Sequence, residues 1–236
     1  CDKGHDIGWG EVVSGPATYG SPDSAYWFNE RHNIYDWICR AKLYIWSMME
    51  TIVQWDTSLF HWINSGWSNP VFDLLLTAAR NKYLWIPLYV LCLSWIVFNS
   101  TVRQSAWVIL FVSASIFASD TISSKLIKYQ VQRPRPCQEQ QMVPPVIQRV
   151  SCGSGYSFTS SHAANHFCIA AFLVTVFGGY MKRWKYLWWV WAVIICIAQV
   201  YVGVHYPLYV IGGGLLGGLI GISMGTLCRH RIKETT

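Results

Sequence analysis

Three stretches of the chain hold residue types that handle phosphate. Lys128-Tyr-Gln-Val-Gln-Arg133-Pro-Arg135-Pro136 gathers fixed positive charge at the end of a hydrophobic run. Arginine offers a planar fork matched to phosphate oxygens, and lysine supplies a point charge. Tyr156-Ser-Phe-Thr-Ser160-Ser161-His162-Ala-Ala-Asn165 sets hydroxyls where the next helix should begin, and the unpaired N–H groups of a helix N-terminus attract anions. Gln199-Val-Tyr-Val-Gly203-Val-His205-Tyr-Pro207 closes a third run on an imidazole, a group that titrates near neutral pH. Alone, a basic pair beside a membrane helix is an interfacial anchor and a single histidine is a structural residue. All three stretches fall on one face and in order, which predicts one cationic pocket holding two imidazoles.

The elements that must carry these residues read as membrane helices. The 236 residues are 53% hydrophobic and 13% charged, with 14 Trp and 13 Tyr; an average soluble domain is about 25% charged. The expected fold class is all-α, a polytopic membrane helical bundle of about five to six membrane helices plus interfacial N-terminal helices. Candidate spans are Tyr83–Val102, Gln104–Ser119 continuing towards Lys128, Ala163–Met181, Tyr186–Val204 and Tyr206–Cys228; each approaches the roughly 20 residues that cross hydrocarbon. Residues 1–33 read as an irregular outward segment. Residues 34–81 read as interfacial, amphipathic helices (Ile34–Asn64 and Val71–Asn81), residues 82–228 as the membrane core, and 229–236 as a cytoplasmic tail.

Alternating spans place Arg103, Lys182, Arg183, Lys185, Arg229, Arg231 and Lys233 on one side, the cytoplasmic side by the bias of basic loops. The pocket then faces outward across a bacterial-type inner membrane, and Lys125, Lys128, Arg133, Arg135 and Arg149 on that face are assigned to the phosphate cluster. The net charge of +6 is scattered, with no solvated basic stripe, so nucleic acid is not an expected partner. Membrane lipids, through anionic head groups, or a phosphate ligand are.

The three stretches resemble the type-2 phosphatidic acid phosphatase superfamily, which also contains vanadium haloperoxidases. Its first motif (Lys, six residues, Arg-Pro) is matched by Lys128, Arg135 and Pro136. Thr159-Ser160-Ser161-His162 keeps the Ser and His of its Pro-Ser-Gly-His motif. The resemblance implies cofactor-free and metal-free hydrolysis of a lipid phosphate or diphosphate, of the phosphatidate, phosphatidylglycerol phosphate or polyprenyl diphosphate class. It implies His205 as a nucleophile forming a phosphohistidine and His162 as the acid for the leaving oxygen. Lys128, Arg135, Ser160 and the backbone near Ser161 would hold phosphoryl oxygens.

The third motif departs from the pattern, which is Ser-Arg, five residues, His, three residues, Asp. Here it reads Ala198-Gln199, His205 and Tyr209, removing one cation and the carboxylate that orients the histidine. Two readings stay open: an active phosphatase, and a catalytically impaired subunit of a membrane complex that docks other membrane proteins through its aromatic N-terminal segment. His166, one turn beyond His162, is expected to line the cleft rather than bind metal. Among eight cysteines, Cys137 and Cys152 bracket the outward loop and are expected to form a disulfide. Cys39, Cys92, Cys168, Cys196 and Cys228 are expected to pack as thiols, and Cys1 is a candidate for lipid modification.

Overall fold

Between Pro22 and Gly66 there is no glycine and no second proline, so a helix started by proline's fixed φ meets no breaker. Helix α1 accordingly spans Pro22–Asn64, beginning well before the expected Ile34. The computed structural model describes residues 22–139 and 141–234; the expectations for Cys1, for residues 1–21 and for the last two tail residues lie outside the described residues. Contacts divide the chain between Trp55 and Asp56. In the first unit α1 carries an Asp36–Arg40 ion pair of 3.0 Å and exposes Trp37, Trp46 and Trp55. Cys39 is disulfide-bonded, which corrects the expected packing thiol.

The second unit, from Asp56 onward, holds the remaining helices. These are α2 (Pro70–Arg80), α3 (Ile86–Asn99), α4 (Val102–Thr121), α5 (Lys128–Val131), α6 (Ser161–Met181), α7 (Tyr186–Tyr201) and α8 (Pro207–Lys233). No strand occurs among the described residues. Among the described residues, four helical stretches are long and apolar enough to cross a membrane: Lys82–Asn99, Val102–Val131, Ser161–Tyr201 and Pro207–Lys233. The third folds back at Lys182, whose φ is 48°, so that its two arms, α6 and α7, pack together. The ring centroids of Phe167 and Trp189 then lie 5.9 Å apart.

Local signals set where the helices begin. Thr101 and Gln104 form a capping box, with Gln104 N–H donating to Thr101 Oγ1 at 3.3 Å and Thr101 N–H to Gln104 Oε1 at 3.1 Å; two otherwise unpaired donors are satisfied at once. After α4 the chain widens into a π-helical turn, Ile122–Ile127, which shifts the register of the side chains that follow. Lys128 is the first residue beyond it. At the start of α8 the cap is borrowed from a distant element: Leu208 N–H donates 2.8 Å to Asp56 Oδ1.

The closest helix pair is α6 against α8. Gly213, Gly217 and Gly221 follow one another at i, i+4. At Gly217 a Cβ would collide with the Ala164 carbonyl, so backbone lies against backbone. Beyond α5, the 132–160 loop is closed by the Cys137–Cys152 disulfide, with Cα atoms 6.0 Å apart.

Arg149 fastens the same loop. Its guanidinium pairs with Asp73, donates to the carbonyls of Asn64 at 3.0 Å and Tyr201 at 2.8 Å and to Ser68 Oγ at 2.9 Å, and lies 3.8 Å from the Tyr201 ring centroid. Arg149 is therefore a loop anchor, not a member of the phosphate cluster as expected: its donors are consumed by carbonyls and a carboxylate.

Candidate active site

Helix ends deliver the three stretches to one place. Lys128 Nζ donates 2.9 Å to Ser161 Oγ, which also meets Ser124 Oγ at 2.8 Å, joining the first stretch to the second. Ser160 caps α6 by accepting from Ala163 N–H at 3.4 Å, and its own N–H donates 3.1 Å to the Tyr209 carbonyl, joining the second to the third. Ser157 N–H donates 2.9 Å to the Arg133 carbonyl, and Arg135 Nε donates 3.3 Å to the Gly155 carbonyl. Gly153 lies beside this guanidinium, with space for a Cβ at ordinary contact distance.

His205 sits at the centre, 3% exposed, on the sharp turn between α7 and α8. Gly203 makes that turn with φ +85° and passes so near Val146 and Ile147 that a Cβ would crowd both. His205 Nδ1 lies 3.1 Å from Ser157 Oγ, which is also 3.4 Å from the Val204 carbonyl. The carbonyl can only accept, so the hydroxyl donates to it and accepts Nδ1–H from the ring. That tautomer leaves Nε2 with a free lone pair. Burial holds the His205 imidazolium well below its ordinary range, and the charges of Arg135, Lys128 and His162 push the same way. At neutral pH His205 is an uncharged base.

Lys128, Arg135, His162 and His205 are thus gathered within electrostatic reach of one another. Burial also lowers Arg135 from its usual value, and a further cation contributes: Arg80, at the end of α2. Arg80 was not among the residues singled out from sequence. A lone charge closing an otherwise apolar turn was the signal for it, but its destination is set by how α2 packs on α7. Its Nε donates 3.3 Å to Gln199 Oε1.

Other members of the motifs turn elsewhere. Arg133 lies over the rings of Tyr206 and Tyr209, 5.9 and 5.2 Å from their centroids. The Tyr209 hydroxyl is buried without a hydrogen-bond partner among the described residues, so it does not orient His205. His166 stacks beside His162, with ring centroids 6.4 Å apart. It is 8% exposed, its ring centroid is 5.0 Å from that of Trp191, and its Nδ1 lies 2.7 Å from the His162 carbonyl. A polar ring with a local backbone acceptor can be buried among aromatics. No cluster of metal-ligating side chains occurs among the described residues.

Known proteins are similar to this chain in sequence and in fold. The chain is 29% identical over 177 residues to the lipid A 4'-phosphatase of Bacteroides thetaiotaomicron, covering 74% of this chain and 77% of that one. It is 29% identical over 165 residues to phosphatidylglycerophosphatase B of Bacillus subtilis, covering 67% and 74%. Among solved structures, the transmembrane PAP2 type phosphatidylglycerolphosphate phosphatase of Bacillus subtilis superposes with a TM-score of 0.57 at 21% identity, over 79% of this chain and 88% of that one; it shares the fold. The PAP2 superfamily model matches residues 106–232, which include all three stretches around His162 and His205 and more than half of the chain, and the protein belongs to the PAP2 superfamily.

Proposed function

We propose that this protein is an integral membrane phosphatase that removes phosphate from a lipid phosphate or lipid diphosphate. The observation that carries the reading is His205: buried, uncharged, with Nδ1–H held by Ser157 and Nε2 free among Lys128, Arg135 and His162. In this reading Nε2 attacks phosphorus, an N–P bond forms as the P–O bond to the lipid breaks, and His162 gives its proton to the leaving oxygen. Water then attacks the phosphohistidine, returns a proton to His162 and frees phosphate. Phosphoryl transfer needs positioning and neutralised oxygens above all, and Lys128, Arg135, Ser160 and Ser161 supply both. The site lies on the outward face of a bacterial inner membrane.

Lipid substrates suit the surroundings. An apolar groove of about 500 Å³, lined by Phe167, Trp189, Val200, Pro207, Val210 and Leu215 among others, runs from the His205 turn along α8. Acyl chains would lie there while the head group reaches the cations. The relatives' substrates point to phosphatidylglycerol phosphate and lipid A phosphate beside phosphatidate and polyprenyl diphosphate.

Purified protein in mixed micelles should release phosphate from at least one of these four lipids, and His205→Ala should abolish the release. Wild-type release no greater than that of His205→Ala on all four would sink the proposal. It would favour the second reading, a silent subunit, which the unpartnered Tyr209 hydroxyl at the orienting carboxylate's place supports.

A further inference from the structure

Gln199 stands where the family pattern has an arginine, and it is completely buried. Its amide oxygen accepts from Arg80 Nε at 3.3 Å, while its amide nitrogen has no partner among the described residues. Arg80 is half-buried, and among the described residues no carboxylate lies within ion-pair distance of it. A guanidinium has five N–H donors, and the terminal nitrogens of Arg80 find no side-chain acceptor among the described residues. Its charge reaches both Arg135 and His162. Three cations, Arg80, Arg135 and Lys128, therefore share a partly desolvated site, and among the described residues Asp120 is the acid whose charge reaches Lys128. Such a gathering is costly unless an anion completes it.

We propose that Arg80 is the third cationic ligand of the phosphoryl group, delivered by α2 and aimed by Gln199 into the place left by the missing arginine of the third motif. The charge has moved to another helix while the recognition chemistry has stayed. Gln199 fits this role because its oxygen holds Nε and leaves both terminal nitrogens of Arg80 available to a ligand. The unpaired Gln199 amide N–H adds a neutral donor beside it. A tie between α2 and α7 with no part in binding would not need a charged donor, nor leave the second amide group unsatisfied. The proposal rests on the phosphatase reading for its substrate, but its ligand chemistry, a phosphoryl oxyanion, is testable without turnover.

The test compares wild type, Arg80→Gln, Arg80→Lys, Gln199→Arg and the double variant Arg80→Gln/Gln199→Arg. Binding of inorganic phosphate is followed by calorimetry in detergent, and phosphate release from the best lipid substrate is followed alongside. Removing one transition-state donor typically lowers rate by about a hundred- to a thousandfold, and Arg80→Gln should do so while weakening phosphate binding at least tenfold. Arg80→Lys should fall between the two. The double variant, with the charge back on α7, should recover at least tenfold over Arg80→Gln.

Unchanged phosphate binding in Arg80→Gln overturns the proposal, as does a double variant no better than Arg80→Gln. Should Arg80→Gln fail to fold, Arg80→Lys decides: phosphate binding and turnover equal to wild type overturn the proposal, and a loss in both supports it. Wild-type protein that binds phosphate through Arg80 but releases none from lipid would end the phosphatase reading and leave this one standing. Turnover indifferent to Arg80 would do the reverse.

Discussion

His205 takes a proton with difficulty because burial and three neighbouring charges oppose it. The sign of the pH dependence follows. Below about 6.5, the ordinary imidazole value, the unfolded chain gains a proton that the folded chain refuses. Stability contributed above that pH is lost on acidification, until the folded imidazole also titrates. The acid limb of kcat/KM should therefore fall with an apparent pKa below 6.5 in a pH profile on lipid phosphate; a limb at or above that value would contradict the buried, neutral base. Ser157, not Tyr209, is the side chain that meets Nδ1 of this ring. A neutral hydrogen bond contributes about 1 kcal/mol, so Ser157→Ala should lower kcat roughly five- to tenfold with KM little changed. Ser157→Thr, which keeps the hydroxyl, should restore most of it. Equal kcat for wild type and Ser157→Ala would show that the hydroxyl does not position the ring.

At the scale of elements, the site depends on α6 and α8 meeting closely enough for Ser160 to reach the Tyr209 carbonyl. Gly217 permits that approach, and Gly217→Ala should cost about 1–3 kcal/mol by overpacking. The variant should melt earlier in detergent and lose activity with it; an unaltered melting curve would mean that the helices part freely. The 132–160 loop carries Arg135 and ends at the second stretch, and its bridge spans a sequence separation of 15. Restricting a loop of that size contributes about 3 kcal/mol. Cys137→Ser/Cys152→Ser should lower Tm by roughly 6–12 °C, measured in reductant-free detergent.

At the scale of the whole molecule, many large apolar side chains among the described residues face outward. Phe98 is 85% exposed and Leu219 67%, a distribution that suits hydrocarbon as the solvent and not water. Membranes bearing the protein should retain it in the pellet through an alkaline carbonate wash, as an integral bundle must be. Its appearance in the supernatant would be incompatible with the spans.

Composition and hydrophobic runs by themselves determined the all-α membrane class and the approximate spans, because bilayer thickness dictates helix length. They located α2 to within a residue at each end, and the two loop cysteines that pair. The ordered Lys, Arg, Ser and His residues were legible too, since phosphate chemistry restricts which side chains serve. Tertiary structure alone showed what each neighbouring cation meets. Motif spacing set Arg135 apart from Arg133 and Arg149, but only the packing shows that aromatic rings and carbonyls take those two. Arg80 stood far from every motif until α2 packed on α7 and brought it to Gln199. Likewise the partner of His205 Nδ1 is Ser157 from another stretch, not the residue at the expected spacing. Such pairings depend on where helices cross, and no local pattern of residues records that.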